Sequence, residues 1–185
     1  MGVLLRFSGF VDFINTQIGR GIRWLIVLSV LIAAGNAIVR KVFDTSSNAW
    51  LEIQWYLFAA VFLVCSGYTL LRNEHIRIDI FQANCRPRTK AWVDVFGTIF
   101  FLLPMAVLIL WTSWPVFLDS YRLGEMSSNA GGLIRWPVKL LIPIGFFFLI
   151  LQALSELIKR IAFLMGLIPD PAPGGGSHGA GAPTA

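Results

Sequence analysis

Four long apolar runs divide the chain, and each is bounded by charged or aromatic residues of the kind found at the edge of a bilayer. The pattern predicts membrane spans at about 22–39, 49–71, 92–117 and 136–158. The first is introduced by Arg20, Arg23 and Trp24 and ends at Arg40 and Lys41. The second opens on an aromatic and acidic cluster, Trp50, Glu52 and Trp55, then runs apolar from Leu57 to Leu71. It closes on the alternating segment His75-Ile76-Arg77-Ile78-Asp79-Ile80. The third contains Pro104 near its middle, where a missing amide hydrogen predicts a kink, and the fourth has Pro143 and Gly145 near its beginning.

Helical spacing then assigns faces. Leu4, Phe7, Val11, Ile14 and Ile18 recur at three- and four-residue intervals, which predicts an amphipathic N-terminal helix lying in the membrane surface. A frayed tail with accidental periodicity is the alternative, because Phe10 and Phe13 blur the stripe. In the first span Ser29, Ala33 and Ala37 form a small-residue face suited to close helix packing, and Asn36 either packs on protein or reaches interfacial water. In the second span Glu52, Tyr56, Ala60, Leu63 and Gly67 share a stripe. The expected organisation is an amphipathic segment over 1–20, a four-helix membrane domain over 21–165 and a Pro/Gly/Ala tail over 166–185.

Composition sharpens the class. With 56% hydrophobic and 14% charged residues, and a mean hydropathy of +0.71, the chain is too apolar for a soluble domain of 185 residues. It reads as an all-α integral membrane protein. The net charge of +5 does not point to nucleic acid, because the cations sit at the ends of apolar runs. Ten of the fifteen fall in the N-terminal segment, the loop 72–90 and the C-terminal end, which predicts cytoplasmic termini. All seven tryptophans lie near predicted span ends. The apolar run through Val39 favours a retained first helix over a cleaved leader. Cys65, in a span, and Cys85, in a basic loop, are expected to remain reduced.

Candidate chemistry is sparse. No phosphate loop, zinc spacing or nucleophile motif is present, so no catalytic residue, cofactor or metal is expected. His75 and Asp79 would align as half a metal site if helical, yet the other histidine is His178 in the tail. Ser66-Gly67-Tyr68 faintly resembles a channel filter but lies in an apolar helix, where packing explains it. Glu52 is either an intramembrane carboxylate for ion coupling or an interfacial acid held by Arg40, Lys41, an indole or a partner. In the segment from His75 to Phe81, an extended strip would set the isoleucines against the membrane or a partner while His75, Arg77 and Asp79 make polar contacts, to lipid phosphate among others. An ordinary basic loop is its plainer reading.

These residues carry a resemblance. Trp50-x-Glu52, Gly67, and above all Arg72-x-x-His75-Ile76-Arg77-Ile78-Asp79 resemble the small membrane subunit, the DctQ type, of tripartite ATP-independent periplasmic (TRAP) transporters. In that family the last motif typically reads HIRVD, so Ile78 is a conservative departure. Trp136-Pro137 and Ile142-Pro143-Ile144-Gly145-Phe146 extend the likeness to the fourth span. The resemblance implies a multi-pass subunit of the bacterial inner membrane, paired with a large permease subunit and served by a periplasmic solute-binding protein. It further implies sodium-driven import of an organic anion, usually a carboxylate, with the small subunit bracing the scaffold. Trp50, Glu52, Trp55, Gly67, Arg72, His75, Arg77 and Asp79 become the expected partner- and membrane-facing residues. Two other classes compete: a self-assembling small channel or transporter lined by Glu52 and Asn36, and a membrane-bound enzyme using His75 and Asp79.

Overall fold

The computed structural model describes residues 2–43, 48–72 and 86–169. Those residues form helices and no strand, and four helical stretches are long and apolar enough to cross a membrane. The chain is therefore an all-α membrane protein.

Helix α1 spans Gly2–Phe43 without interruption. The segment expected to form an amphipathic N-terminal helix is helical and continues directly into the first span. At 1.5 Å per residue the rod is about 63 Å long, roughly twice the hydrocarbon thickness. The face that packs is distinct from most of the apolar stripe: Ser8, Val11, Asn15, Gly19 and Ile22 are buried, while Leu4, Phe7, Phe10 and Phe13 stay exposed. Inside a membrane bundle there is little hydrophobic drive to hide large side chains, so small and amide-bearing residues take the contact and bulky ones face outward.

Helices α2, Asn48–Val64, and α3, Ser66–Leu71, make the second span with one break at Cys65. The break coincides with a close crossing. A Cβ added at Gly145 would stand 2.6 Å from the Leu63 carbonyl oxygen, so only glycine lets the two backbones meet there. The Ser66 hydroxyl donates to the same Leu63 carbonyl at 2.7 Å, satisfying it locally.

The third span joins α4, Pro87–Gly97, through a π turn at Thr98–Leu102 to α5, Leu103–Leu123. The π turn is the structure's answer to Pro104. The wider turn, in which the Leu103 amide reaches back to the Thr98 carbonyl, stands just ahead of the proline, where the missing donor and the ring would otherwise collide with the preceding turn.

The fourth span, α6, covers Trp136–Leu164 and touches every other helix. A third of its apolar window is buried, against 11% in each of the other spans, so α6 is the axis of the bundle. Leu149 and Ala153 meet Leu70 and Ala106 in a small core. Gly166, at φ 74°, closes α6 in a left-handed cap, with the Leu167 amide donating to Ala162 at 3.0 Å.

Candidate functional site

Two polar assemblies stand at opposite ends of α6. The first is built on Glu52 in the opening turns of α2, which is buried at 5% exposure. One carboxylate oxygen accepts from the Asn129 amide at 2.9 Å and from the Ser127 hydroxyl, and the other accepts from the Leu133 backbone amide at 2.7 Å. One turn to either side, Asn48 donates to the Ala130 carbonyl at 3.0 Å and Tyr56 donates to the Ile134 carbonyl at 3.1 Å. Residues 48, 52 and 56 thus grip the connection between α5 and α6 along one helical stripe. The connection holds itself as well: Met126 and Ile134 form an isolated bridge, and Ser127 donates its amide to Leu133 at 2.9 Å. Gly124 and Gly131, both with positive φ, supply its turns.

Arg40, Lys41, an indole or a partner were the expected holders of Glu52. The donors are instead neutral groups from residues about 75 to 81 positions later. Nearby, Lys139 forms an ion pair with Glu125, and Arg135 lies 3.8 Å from it. The Lys139 ammonium, with Arg135 adding to it, holds the Glu125 carboxyl below its ordinary range. Beside Glu52 is a half-open cavity of about 360 Å³ that Trp55, Tyr56, Arg135 and Lys139 help to line. Both oxygens of Glu52 are engaged by donors, so the site holds a loop and offers little to a cation.

The second assembly is a seam between α1 and the last turns of α6, and sequence reasoning missed it. The Gln152 amide donates to Asp12 at 2.9 Å and to Glu156 at 3.2 Å, while Gln152 accepts from Asn15 at 2.8 Å. Lys159 bridges the two acids, 3.1 Å from Asp12 and in an ion pair with Glu156. Ser155 donates to Asp12 at 2.9 Å and shares a hydrogen bond with Ser8 at 2.7 Å. Behind the seam, Arg160 and Asp94 pair at 3.2 Å, both largely buried, and tie α4 to the same helix. A signal for this seam was present: 152, 155, 156 and 159 share one face of α6, as 8, 12 and 15 do on α1.

Gly67 links the seam to the second span. A Cβ there would lie 2.5 Å from the Asn15 side-chain oxygen and 3.1 Å from the Phe148 carbonyl. The Asn15 oxygen is buried without a hydrogen-bond partner, so it is the glycine's bareness that admits it. Of the other expected residues, Trp50 and Trp55 face outward at 47% and 66% exposure, and Arg72 continues the end of α3 with its amide on Tyr68 at 3.0 Å. His75, Arg77 and Asp79, with Cys85, lie outside the described residues. Among the described residues no group of three His, Cys, Asp or Glu side chains could hold a metal ion.

The model of the family described as tripartite ATP-independent periplasmic transporters, DctQ component, matches residues 29–163. The chain belongs to this family. It is a small permease subunit of TRAP transporters, a component of a transporter and not of an enzyme family. No curated protein and no solved structure matches it. The DctQ match takes in Glu52, its loop and the α6 half of the seam, whereas Ser8, Asp12 and Asn15 precede it.

Proposed function

We propose that this DctQ subunit braces the static scaffold of a large permease subunit in the bacterial inner membrane. There the assembled transporter imports an organic anion, a carboxylate, on the sodium gradient after delivery by a periplasmic binding protein. In this reading both termini face the cytoplasm, and the loop held by Glu52 faces the periplasm.

One observation supports a bracing role above a conducting one. The described polar side chains of the spans are largely spent on holding the bundle together, at Glu52 and along the Asp12–Lys159 seam. What remains outward is bulky and apolar: Trp55, Phe58 and Phe62 on α2, Trp111 and Leu108 on α5. Such a surface suits a protein partner or lipid and offers no hydrated path. In this reading His75, Arg77 and Asp79 anchor the subunit to its partner or to lipid phosphate, with the planar Arg77 guanidinium as the main contact.

Reconstitution tests it. The chain alone in liposomes should carry neither sodium nor carboxylate, and flux should appear only with the large subunit and the binding protein. Arg77→Ala should lower the yield of assembled complex while leaving the apparent affinity for substrate and sodium nearly unchanged at matched complex. Flux from the chain alone would establish the self-assembling channel instead, and an altered sodium affinity would move this loop into the transport site.

A further inference from the structure

Where α1 ends and α2 begins, an open groove of about 580 Å³ lies between them, lined by Ala33, Asn36, Ala37, Arg40, Lys41 and Leu51, with Gln54 at its side. Its chemistry is graded along α1. Its small residues are the half-buried Ala33 and the exposed Ala37. The middle carries two amides, Asn36 and Gln54. At the rim stand Arg40 and Lys41, both exposed. From Ala33 to Arg40 is seven residues, about 10 Å along a helix.

Among the described residues the lining contains no acid, so there Arg40 and Lys41 give the groove its positive charge. Glu52 cannot neutralise them, since its oxygens are turned to Ser127, Asn129 and Leu133. Cations at a helix C-terminus also complement the macrodipole and mark the membrane edge, but neither role requires a groove beside them. We propose that this groove is a binding site for one anionic phospholipid of the surrounding bilayer. Its phosphate lies against Arg40 and Lys41, its ester oxygens reach Asn36 and Gln54, and the start of one acyl chain lies over Ala37 and Ala33.

Charge complementarity selects a lipid over a carboxylate of a protein partner. The groove descends from the charged rim into the hydrocarbon layer, so its occupant must be anionic at one end and apolar for about 10 Å below it. A phospholipid has that profile along its own length. Each cation near an anionic headgroup contributes roughly fivefold in partition, so the pair predicts a preference for anionic over zwitterionic lipid of about tenfold or more.

The test uses the full chain in bilayers of equal phosphatidylglycerol and phosphatidylcholine, extracted in mild detergent, with the retained phospholipid counted by mass spectrometry. Wild type should retain phosphatidylglycerol over phosphatidylcholine by about tenfold. Arg40→Gln with Lys41→Gln should bring the ratio close to one, and exchanging the two cations, Arg40→Lys with Lys41→Arg, should keep it. Ala37→Leu, which leaves both charges but fills the groove, should also abolish retention, while Ile38→Leu on the exposed neighbouring position should not. Full selectivity in Ala37→Leu would reduce the effect to diffuse surface charge and overturn the site. Displacement of the lipid by millimolar inorganic phosphate would show a bare anion site and overturn the lipid assignment. Loss of the large subunit from the Arg40→Gln, Lys41→Gln variant, with lipid selectivity intact, would make the groove a protein contact and overturn it as well.

Discussion

The two ends of α6 are held together by opposite means. At its start a single carboxylate, Glu52, collects neutral donors from a loop and fixes that loop in place. At its end a dense run of acids, amides and one lysine fastens helix to helix over a sequence separation of up to 147 residues. The first arrangement orders a connection rich in glycine and small polar residues. The second replaces the hydrophobic drive that is missing between helices in lipid, because in a bilayer a satisfied polar seam holds where apolar surface gains little. The bundle is thus closed by chemistry at one end and merely capped at the other, and perturbing each should give different signatures.

The largest effect is expected at Gly67, where the seam meets the second span. Gly67→Leu drives a side chain into Asn15 and the Phe148 carbonyl, and should destabilise by about 3 kcal/mol or more, seen as loss of monodisperse protein or a steep fall in thermal midpoint. A stable, well-behaved Gly67→Leu chain would show that the Asn15 contact is dispensable. Next comes Lys159→Met, which leaves Asp12 and Glu156 facing each other without an ammonium. With these groups partly exposed, the loss should be about 1–3 kcal/mol, and the second change Glu156→Gln should recover part of it. Additive losses in that pair would mean that the charges do not share one network.

The cap should respond locally. Glu52→Gln replaces an acceptor by an amide facing the Leu133 donor, so hydrogen exchange should rise across residues 124–135 while the seam keeps its protection. Uniform exchange throughout the chain would dissolve the distinction between the two ends. The smallest effect is a pH dependence at Glu125. Its folded value lies below 4.5, so the Lys139 tie contributes fully above that pH and is lost as pH falls through the lowered value. Loop protection should hold between pH 6 and 8 and weaken as the pH falls below 4.5, and in Glu125→Gln that acid-dependent loss should be reduced.

How far the sequence could be read follows from the same contrast. Long apolar runs fix the spans, because hydropathy in a bilayer is a property of each segment by itself. Of the residues that stood out, Glu52 and Gly67 lie in close contacts within the chain, while Trp50 faces outward. The holders of Glu52 were hidden, since Ser127, Asn129 and a backbone amide look like any polar turn and nothing local ties them to a helix 75 residues earlier. The N-terminal helix was legible as a helix with an apolar stripe, but the face that packs on the bundle was not named. Leu4 and Phe7 marked the apolar stripe, whereas Ser8, Asn15 and Gly19 make the contact. Lys159 was counted as a topology charge and Asp12 and Glu156 were passed over, which concealed that their spacing places them on two facing helices. The π turn could not be foreseen from Pro104 alone, because proline demands relief of the preceding turn without specifying its form.

The continuity of α1 has a consequence for the order of biosynthesis. Ser8, Asp12 and Asn15 are synthesised 137 to 147 residues before their partners from Gln152 to Lys159. Throughout elongation the leading helix carries an acid and an amide with no mate, which favours leaving that end at the aqueous interface until α6 arrives. Closure of the seam therefore waits for α6, and a chain that lacks residues 152–159 leaves Asp12 and Asn15 without the partners they have in the folded bundle.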